Sequence, residues 1–316
     1  MKTVTEIYQE IYPTLEEMEQ KRLEFLAKGR KIIYIGGGMA VLIGLVWLVA
    51  LTQTGDLPHL FLILGILTVI GCSGYYVHQR NKVINVYKSV VIPKIISSVD
   101  SSYYYNAKRY INESQFKESQ LFKKPDRYNG EDYISGRLGK TDFELSEVHA
   151  EYETRDKDGD SSYHTIFKGL FMIADFHKDF QGHTVVIPDK GGEGWFGRLV
   201  KRSSRKGMEI AKMENADFEK LFDVYTTDQV EARYILSMSM IENIMRLKGA
   251  FGSKIHMAFL NSCVYIAIEW KFDILEPNLK KTLLDESTIH DFLDEIWMCL
   301  EIIEDLDLNT RIWTKA

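Results

Sequence analysis

Two uncharged apolar runs stand close together near the N-terminus, and they constrain the rest of the chain more than any other feature. The first runs from Ile32 to Leu51 and the second from Leu60 to Val77. A helix of about twenty such residues spans a ~30 Å hydrocarbon core. The segment between them, Thr52 to His59, is polar and carries Gly55 and Pro58, which suit a tight reversal. A cleaved signal peptide starts with a short basic stretch and ends at a small-residue site. Here a charged, helix-patterned segment precedes the first run and a second run follows at once. The pattern predicts a multi-pass transmembrane hairpin, with spans at about 32–51 and 60–77.

Flanking charge predicts the orientation. Lys28, Arg30 and Lys31 precede the first run, and Arg80, Lys82 and Lys88 follow the second. The turn has neither Lys nor Arg, so the positive-inside rule puts both termini in the cytoplasm. Gly36, Gly37 and Gly38 in the first run, and Gly65, Gly71, Ser73 and Gly74 in the second, permit close helix approach. Packing within the hairpin is the plainer use of these residues, and an oligomerisation face is the alternative. The spans carry no acidic, basic or His residue, which argues against a proton relay or ion path through them alone.

Helical patterning continues on both sides. Before the first run, Ile7, Ile11, Leu15, Met18 and Phe25 recur at helical steps, with Arg22 occupying one place in the stripe. After the second, Val83, Tyr87, Val90, Val91 and Ile95 do the same, to about Ser97. Pro13 and Pro93 are candidate kinks. The two arms leave the membrane at the same place, so the simplest packing pairs their stripes.

From about residue 100 the pattern is that of a soluble domain, giving a division into 1–99 and 100–316. The chain has 316 residues and a net charge of -6, and the acidic balance gives no reason to expect nucleic acid as a partner. Cys72, Cys263 and Cys299 match no metal spacing and read as free thiols of a reducing compartment. Strand-like runs cover Tyr133–Leu138, Phe143–Tyr152, His164–Phe176, Thr184–Ile187, Lys254–Leu260 and Cys263–Trp270, separated by turn signals that include Asn261-Ser262. Shorter helical patterns cover Ser114–Phe122, Ala216–Phe222 and Met238–Leu247, and Gln229–Leu236 is ambiguous. Ser287 is placed to cap a last amphipathic helix bearing Ile289, Phe292, Ile296, Leu300 and Ile303. The predicted class is α+β: a membrane hairpin with helical arms, then a mostly antiparallel sheet, a meander in its first strands, with packed helices.

The candidate chemistry is sparse. Asp156 to Asp160 looks like a calcium loop, but its glycine is fourth rather than sixth and the twelfth position is Phe167, so it reads as a hairpin turn. Asp175, His177, Asp179 and His183 form the densest set of metal-type ligands, although no zinc spacing selects them. No phosphate-binding glycine loop and no nucleophile elbow is present, which leaves neither cofactor nor catalytic residue to name. Arg233 closely follows Asp228 and Glu231 among apolar neighbours, which predicts that it is partly buried and paired with one of these carboxylates. The most suggestive segment is Gly191–Gly207. There Trp195, Phe196 and Leu199 interleave with Arg198, Lys201, Arg202, Arg205 and Lys206, a composition suited to an anionic membrane face.

Several stretches together resemble a known family. They are Gly130-Glu-Asp132, Ser146-Glu147, Phe167-Lys-Gly-Leu-Phe171, the later Phe176, Phe180 and Gly182, and the run from Phe222 to Leu236. This string is similar to the bacterial membrane family catalogued as domain of unknown function 3137. The resemblance implies an inner-membrane protein with a cytosolic domain, and association with LemA-type membrane proteins; it implies no reaction. The reading is a membrane-anchored scaffold that binds a protein or lipid headgroups, with self-association left open. The alternatives are an enzyme with an unrecognised site in the cytosolic domain, or an accessory subunit of a membrane complex.

Overall fold

The computed structural model describes residues 3–53, 58–175, 180–189, 207–252, 254–270 and 275–290, and then 293–294, 296–297, 300 and 304. The chain divides into two compact units. One comprises residues 5–95 with 276–288, and the other comprises 1–4, 96–275 and 289–316.

The first unit is built on two long helices, α1 (Val4–Gln53) and α2 (Pro58–Val99). Each runs through its arm and its apolar run without a break, and each contains a segment long and apolar enough to cross a membrane. Pro13 and Pro93 both lie inside continuous helix. These segments are not core helices, because their apolar side chains face outward: Ile33, Leu42 and Ile70 are each more than 60% exposed. A contiguous surface of this kind is unfavourable in water and suited to lipid. The two helices approach closely at small residues. A Cβ on Gly36 would lie 2.6 Å from Cys72 Sγ, and one on Gly29 would meet the Tyr76 ring at 3.0 Å. Gly37, Gly38, Gly71 and Gly74 face open space, so only part of the glycine set serves the pairing.

Below the apolar runs the arms pack as the periodicity predicts. Ile7, Ile11, Leu15, Met18, Arg22 and Phe25 are all buried, as are Tyr87, Val91 and Ile95, while Val90 is exposed. Lys94 donates to Thr14 across the arms, and Phe25 packs against Tyr76 with ring centroids 5.3 Å apart. Lys88, counted above among the flanking cations, is buried rather than turned to the surface. A third strip of chain completes this unit. Residues 276–288 lie along the helices, and Leu279 enters the same apolar cluster as Phe25 and Ile84.

The second unit is a nine-stranded antiparallel sheet among the described residues. Its strands are β1 (Tyr104–Asn106), β2 (Arg127–Leu138), β3 (Thr141–Arg155), β4 (Ser161–Asp175), β5 (Thr184–Pro188), β6 (Glu209–Ile210), β7 (Phe222–Thr226), β8 (Ile255–Leu260) and β9 (Cys263–Glu269). Their spatial order is β1-β2-β3-β4-β9-β8-β5-β7-β6. Of the expected meander, β2, β3 and β4 pair in succession, but Thr184–Ile187, its fourth strand, does not continue it. It stops at β4, whose next neighbour is β9 rather than β5. The β8–β9 hairpin turns at Asn261 and Ser262, both with positive φ, as a two-residue turn requires.

The central strands are buried on both faces. Along β9, Val264 through Ile268 are all buried. Tyr265 and Ala267 join Phe167, Phe171, Val185 and Tyr225 in one cluster, under Phe116 of α3 (Glu113–Glu118). Because side chains alternate in a strand, Val264, Ile266 and Ile268 serve the opposite face. Short helices α4 (Ala216–Glu219), α5 (Gln229–Ile235) and α6 (Met238–Phe251) follow, capped by Asn215, Asp228 and Ser237. The described residues from 286 to 304 are helical. Asp285, not Ser287, caps that segment: its carboxylate accepts from the Ser287 backbone N–H at 3.1 Å.

Candidate functional site

The chemistry-bearing groups that converge in the sheet unit come from two motifs quoted above. Glu131 and Asp132 lie at an irregularity in β2, where the register against β3 shifts, and Glu147 comes from β3 itself. Their carboxylate oxygens all lie within 4.8 Å of one another. Asp132 is buried and has φ +58°, and Glu147 is nearly buried. Gly130 makes the approach possible, since a Cβ there would lie 2.3 Å from the Glu147 carbonyl oxygen. Ser146 Oγ accepts from the Ile111 backbone N–H.

The Tyr105 hydroxyl donates to Asp132 at 2.5 Å. Burial first, and then the Asp132 carboxylate, push the tyrosine pKa far above its ordinary value, so it remains a donor at any physiological pH. Glu147 also accepts from the Leu275 backbone N–H, the last residue before the chain leaves this unit. Carboxylates this close can share a proton or a cation.

A second feature is a groove of about 170 Å³ lined by residues 212–215, which follow β6 in the chain, and by residues of α5, α6 and the turn between them. Met213, Leu236, Met238 and Ile241 supply apolar lining, and Lys212, Arg233 and Glu214 supply its charges. The neighbouring surface is apolar as well: Ile210, Val230, Tyr234 and Met238 are 42–63% exposed. Gln229 Nε2 donates to the Ile210 carbonyl and so ties α5 to β6.

Arg233 corrects the expected buried ion pair. It is exposed, and its one bond among the described residues goes to the Gln229 carbonyl at 3.4 Å. The two carboxylates are engaged elsewhere. Asp228 caps α5 by accepting from the Val230 and Glu231 N–H groups. Glu231 accepts from the Gln181 and Gly182 N–H groups at 2.9 and 2.6 Å. A helix periodicity places Arg233 on the side away from Ala232 and Ile235, which a short ambiguous run could not reveal.

The other sequence candidates fare unevenly. Trp195, Phe196, Arg198, Lys201, Arg202, Arg205 and Lys206 all lie outside the described residues, as do His177 and Asp179. Asp156 to Asp160 forms the expected turn, with Asp156 Oδ1 accepting from the N–H groups of Asp158 and Asp160. Cys72 and Cys263 are not disulfide-bonded. The acidic cluster had a sequence signal, Gly130-Glu-Asp132 and Ser146-Glu147, but nothing in the sequence joins Tyr105 to it.

Residues 165–308 match the family model described as "Protein of unknown function (DUF3137)", which bears out the resemblance over that stretch. No curated protein sequence matches the chain. Among solved structures, the crystal structure of the mycobacterial trehalose monomycolate transport factor A, TtfA, aligns over 64% of this chain and 90% of that one, at 10% identity and a TM-score of 0.34. That overlap is too loose to define a shared fold.

Proposed function

We propose that this chain, with its DUF3137 segment, is a membrane-anchored scaffold of a bacterial inner membrane, whose sheet unit binds a protein or lipid headgroups on the cytoplasmic side. The observation that carries the reading is the outward-facing apolar belt on α1 and α2, continuous with arms whose own apolar stripe is buried. Lipid covers the first surface and protein covers the second. Arg30, Lys31, Arg80 and Lys82 flank the apolar runs and the intervening turn lacks Lys and Arg, which supports cytoplasmic termini.

The basic segment from Trp195 to Lys206 is the proposed headgroup contact. It joins β5 to β6, and each Lys or Arg near an anionic leaflet contributes about 1 kcal/mol. A protein partner, such as a LemA-type membrane protein, is the alternative occupant of the scaffold.

The test uses the full chain, in intact cells for the topology and in lipid nanodiscs for the headgroup contact. Asp56→Cys should react with an impermeant thiol reagent from the outside of intact cells; reaction from the inside alone overturns the topology. Trypsin cleavage at Arg198 to Lys206 should slow in phosphatidylserine discs relative to neutral ones. Added salt should restore it, because screening acts within ~8 Å at physiological ionic strength. Equal cleavage in both disc types at low salt overturns the lipid reading.

A further inference from the structure

The β3–β4 hairpin runs on past the strand that flanks it. β9 pairs with β4 from Gly169 to Asp175, and the Trp270 N–H donates to the Lys168 carbonyl. Over residues 161–167, no strand among the described residues lies beside β4 on that side. Ser161, Ser162, Tyr163, His164 and Thr165 are all exposed. The Asp156 N–H donates to the Asp160 carbonyl at 3.0 Å, which turns Asp160 toward β3. Backbone groups alternate along a strand, so the N–H and C=O of Ser161, Tyr163 and Thr165 point away from β3, to the open side. The register against β3 then shifts, leaving Ile166 as the extra residue and bringing Lys168 round to that same side.

Side chains on both faces hold this edge extended. Arg127 lies 3.5 Å from the centroid of the Tyr163 ring. On the other face His164 stacks on Tyr152, with ring centroids 5.1 Å apart, and its Nε2 lies 2.9 Å from Thr154 Oγ1. Ser161 Oγ donates to the Glu153 carboxylate. Open edges are usually blunted by Lys, Pro or other charges, and Ser161 to Thr165 carries none of these.

The charges around the edge select its occupant. The tip before it carries Asp156, Asp158 and Asp160 against Lys157, and the base after it carries exposed Lys168. Set antiparallel to a second copy of itself, the edge runs each acidic tip toward the other copy's Lys168. A parallel arrangement would set tip against tip. Antiparallel pairing of a segment with itself also generates a two-fold axis, and so a closed dimer.

We propose that two copies of this chain associate through the open edges of β4, with Tyr163 opposite Tyr163 and Ser161 opposite Thr165. In this register every outward residue from 161 to 165 faces another outward residue and can exchange hydrogen bonds with it. A shift of two leaves Ser161 or Thr165 unpaired, and a shift of one sets outward groups against inward ones. The two hairpins become one four-stranded ribbon, β3-β4-β4-β3. This surface for self-association does not depend on the headgroup reading of the basic segment.

The test is oxidation of full-length Tyr163→Cys in detergent, with the equally placed Ser162→Cys as control. Paired as proposed, the two Cα atoms at 163 lie about 5.5 Å apart, within disulfide reach. Those at 162 lie about 7–8 Å apart, beyond it. Disulfide-linked dimer should form about tenfold more from Tyr163→Cys than from Ser162→Cys. Ser162→Cys mixed with His164→Cys brings opposite positions together and should give a mixed dimer. Adding Tyr163→Lys to both partners sets cation against cation at the two-fold axis and should lower that yield about tenfold. Tyr163→Lys in one partner with Tyr163→Glu in the other should recover it, which separates lost docking from lost folding. Equal dimer from Tyr163→Cys and Ser162→Cys, or a mixed yield indifferent to the charge at 163, overturns the proposal.

Discussion

The helical unit and the sheet unit both bury charge, and they do so in opposite ways. In the helical unit the charges cancel. Arg22 donates to Glu19 through Nε and Nη2, at 2.8 and 2.6 Å, both side chains nearly buried. The pair then extends to the strip 276–288: Arg22 donates to the Leu279 carbonyl, and Glu19 accepts from the Leu283 N–H at 2.9 Å. Tyr8 donates to the Leu284 carbonyl, and Arg80 pairs with Glu276. In the sheet unit the charges have the same sign. Glu131, Asp132 and Glu147 crowd together, and a tyrosine hydroxyl is one of the donors that makes this tolerable. A neutral pair can act as a fastener between segments distant in sequence. A like-charged group instead depends on donors and on whatever proton or cation it holds.

The comparison can be broken at its strongest point first. Arg22→Ala leaves Glu19 buried without its cation, a change that typically costs about 3–5 kcal/mol. Thermal unfolding of the full chain in detergent should show a large loss, and an unchanged midpoint would mean that the pair fastens nothing. Replacing Tyr105 by Phe is the matching test in the sheet unit. It deprives buried Asp132 of a donor and should cost about 1–3 kcal/mol. A neutral result would assign the tolerance of the cluster to other groups.

Acid should separate the two units further. The Arg22 hydrogen bond, opposed by burial, holds the Glu19 carboxyl below its ordinary 4.5. A depressed carboxyl contributes stability that is fully present above its unfolded-chain value and is lost as pH falls through its folded value. Hydrogen exchange at the Leu283 amide, which Glu19 accepts, should therefore accelerate below about pH 4.5, after correction for the intrinsic rate. Glu19→Gln should remove that pH dependence. The smallest effect is expected at the other arginine. Arg233→Ala alters an exposed side chain and should stay within about 0.5 kcal/mol. A loss near that of Arg22→Ala would restore the buried-pair reading of Arg233.

These two arginines also show how much of the molecule its sequence discloses. Both sit among apolar neighbours in a helical stretch. Arg22 lies in a stripe long enough for its phase to be unambiguous, so its inward orientation is legible. Arg233 lies in a seven-residue helix, too short for the period to emerge, and the expectation of burial was wrong. The acidic cluster was half legible, through Gly130-Glu-Asp132 and Ser146-Glu147. The irregularity in β2 that turns Asp132 inward carries no pattern of its own.

By itself the sequence determined what depends on neighbours along the chain. That covers two apolar runs able to cross a membrane, the helical phase of both arms, the tight turns at Gly159 and Asn261, and most strands of an antiparallel sheet. Only the tertiary structure decided which segments meet. It placed β9 rather than β5 beside β4, and it laid residues 276–288 along helices that begin at Val4. The reason is physical. Periodicity and turn chemistry are local, whereas the Leu279 carbonyl that satisfies Arg22 comes from 257 residues further along the chain. A contact of that separation is selected by how well the whole core closes around it.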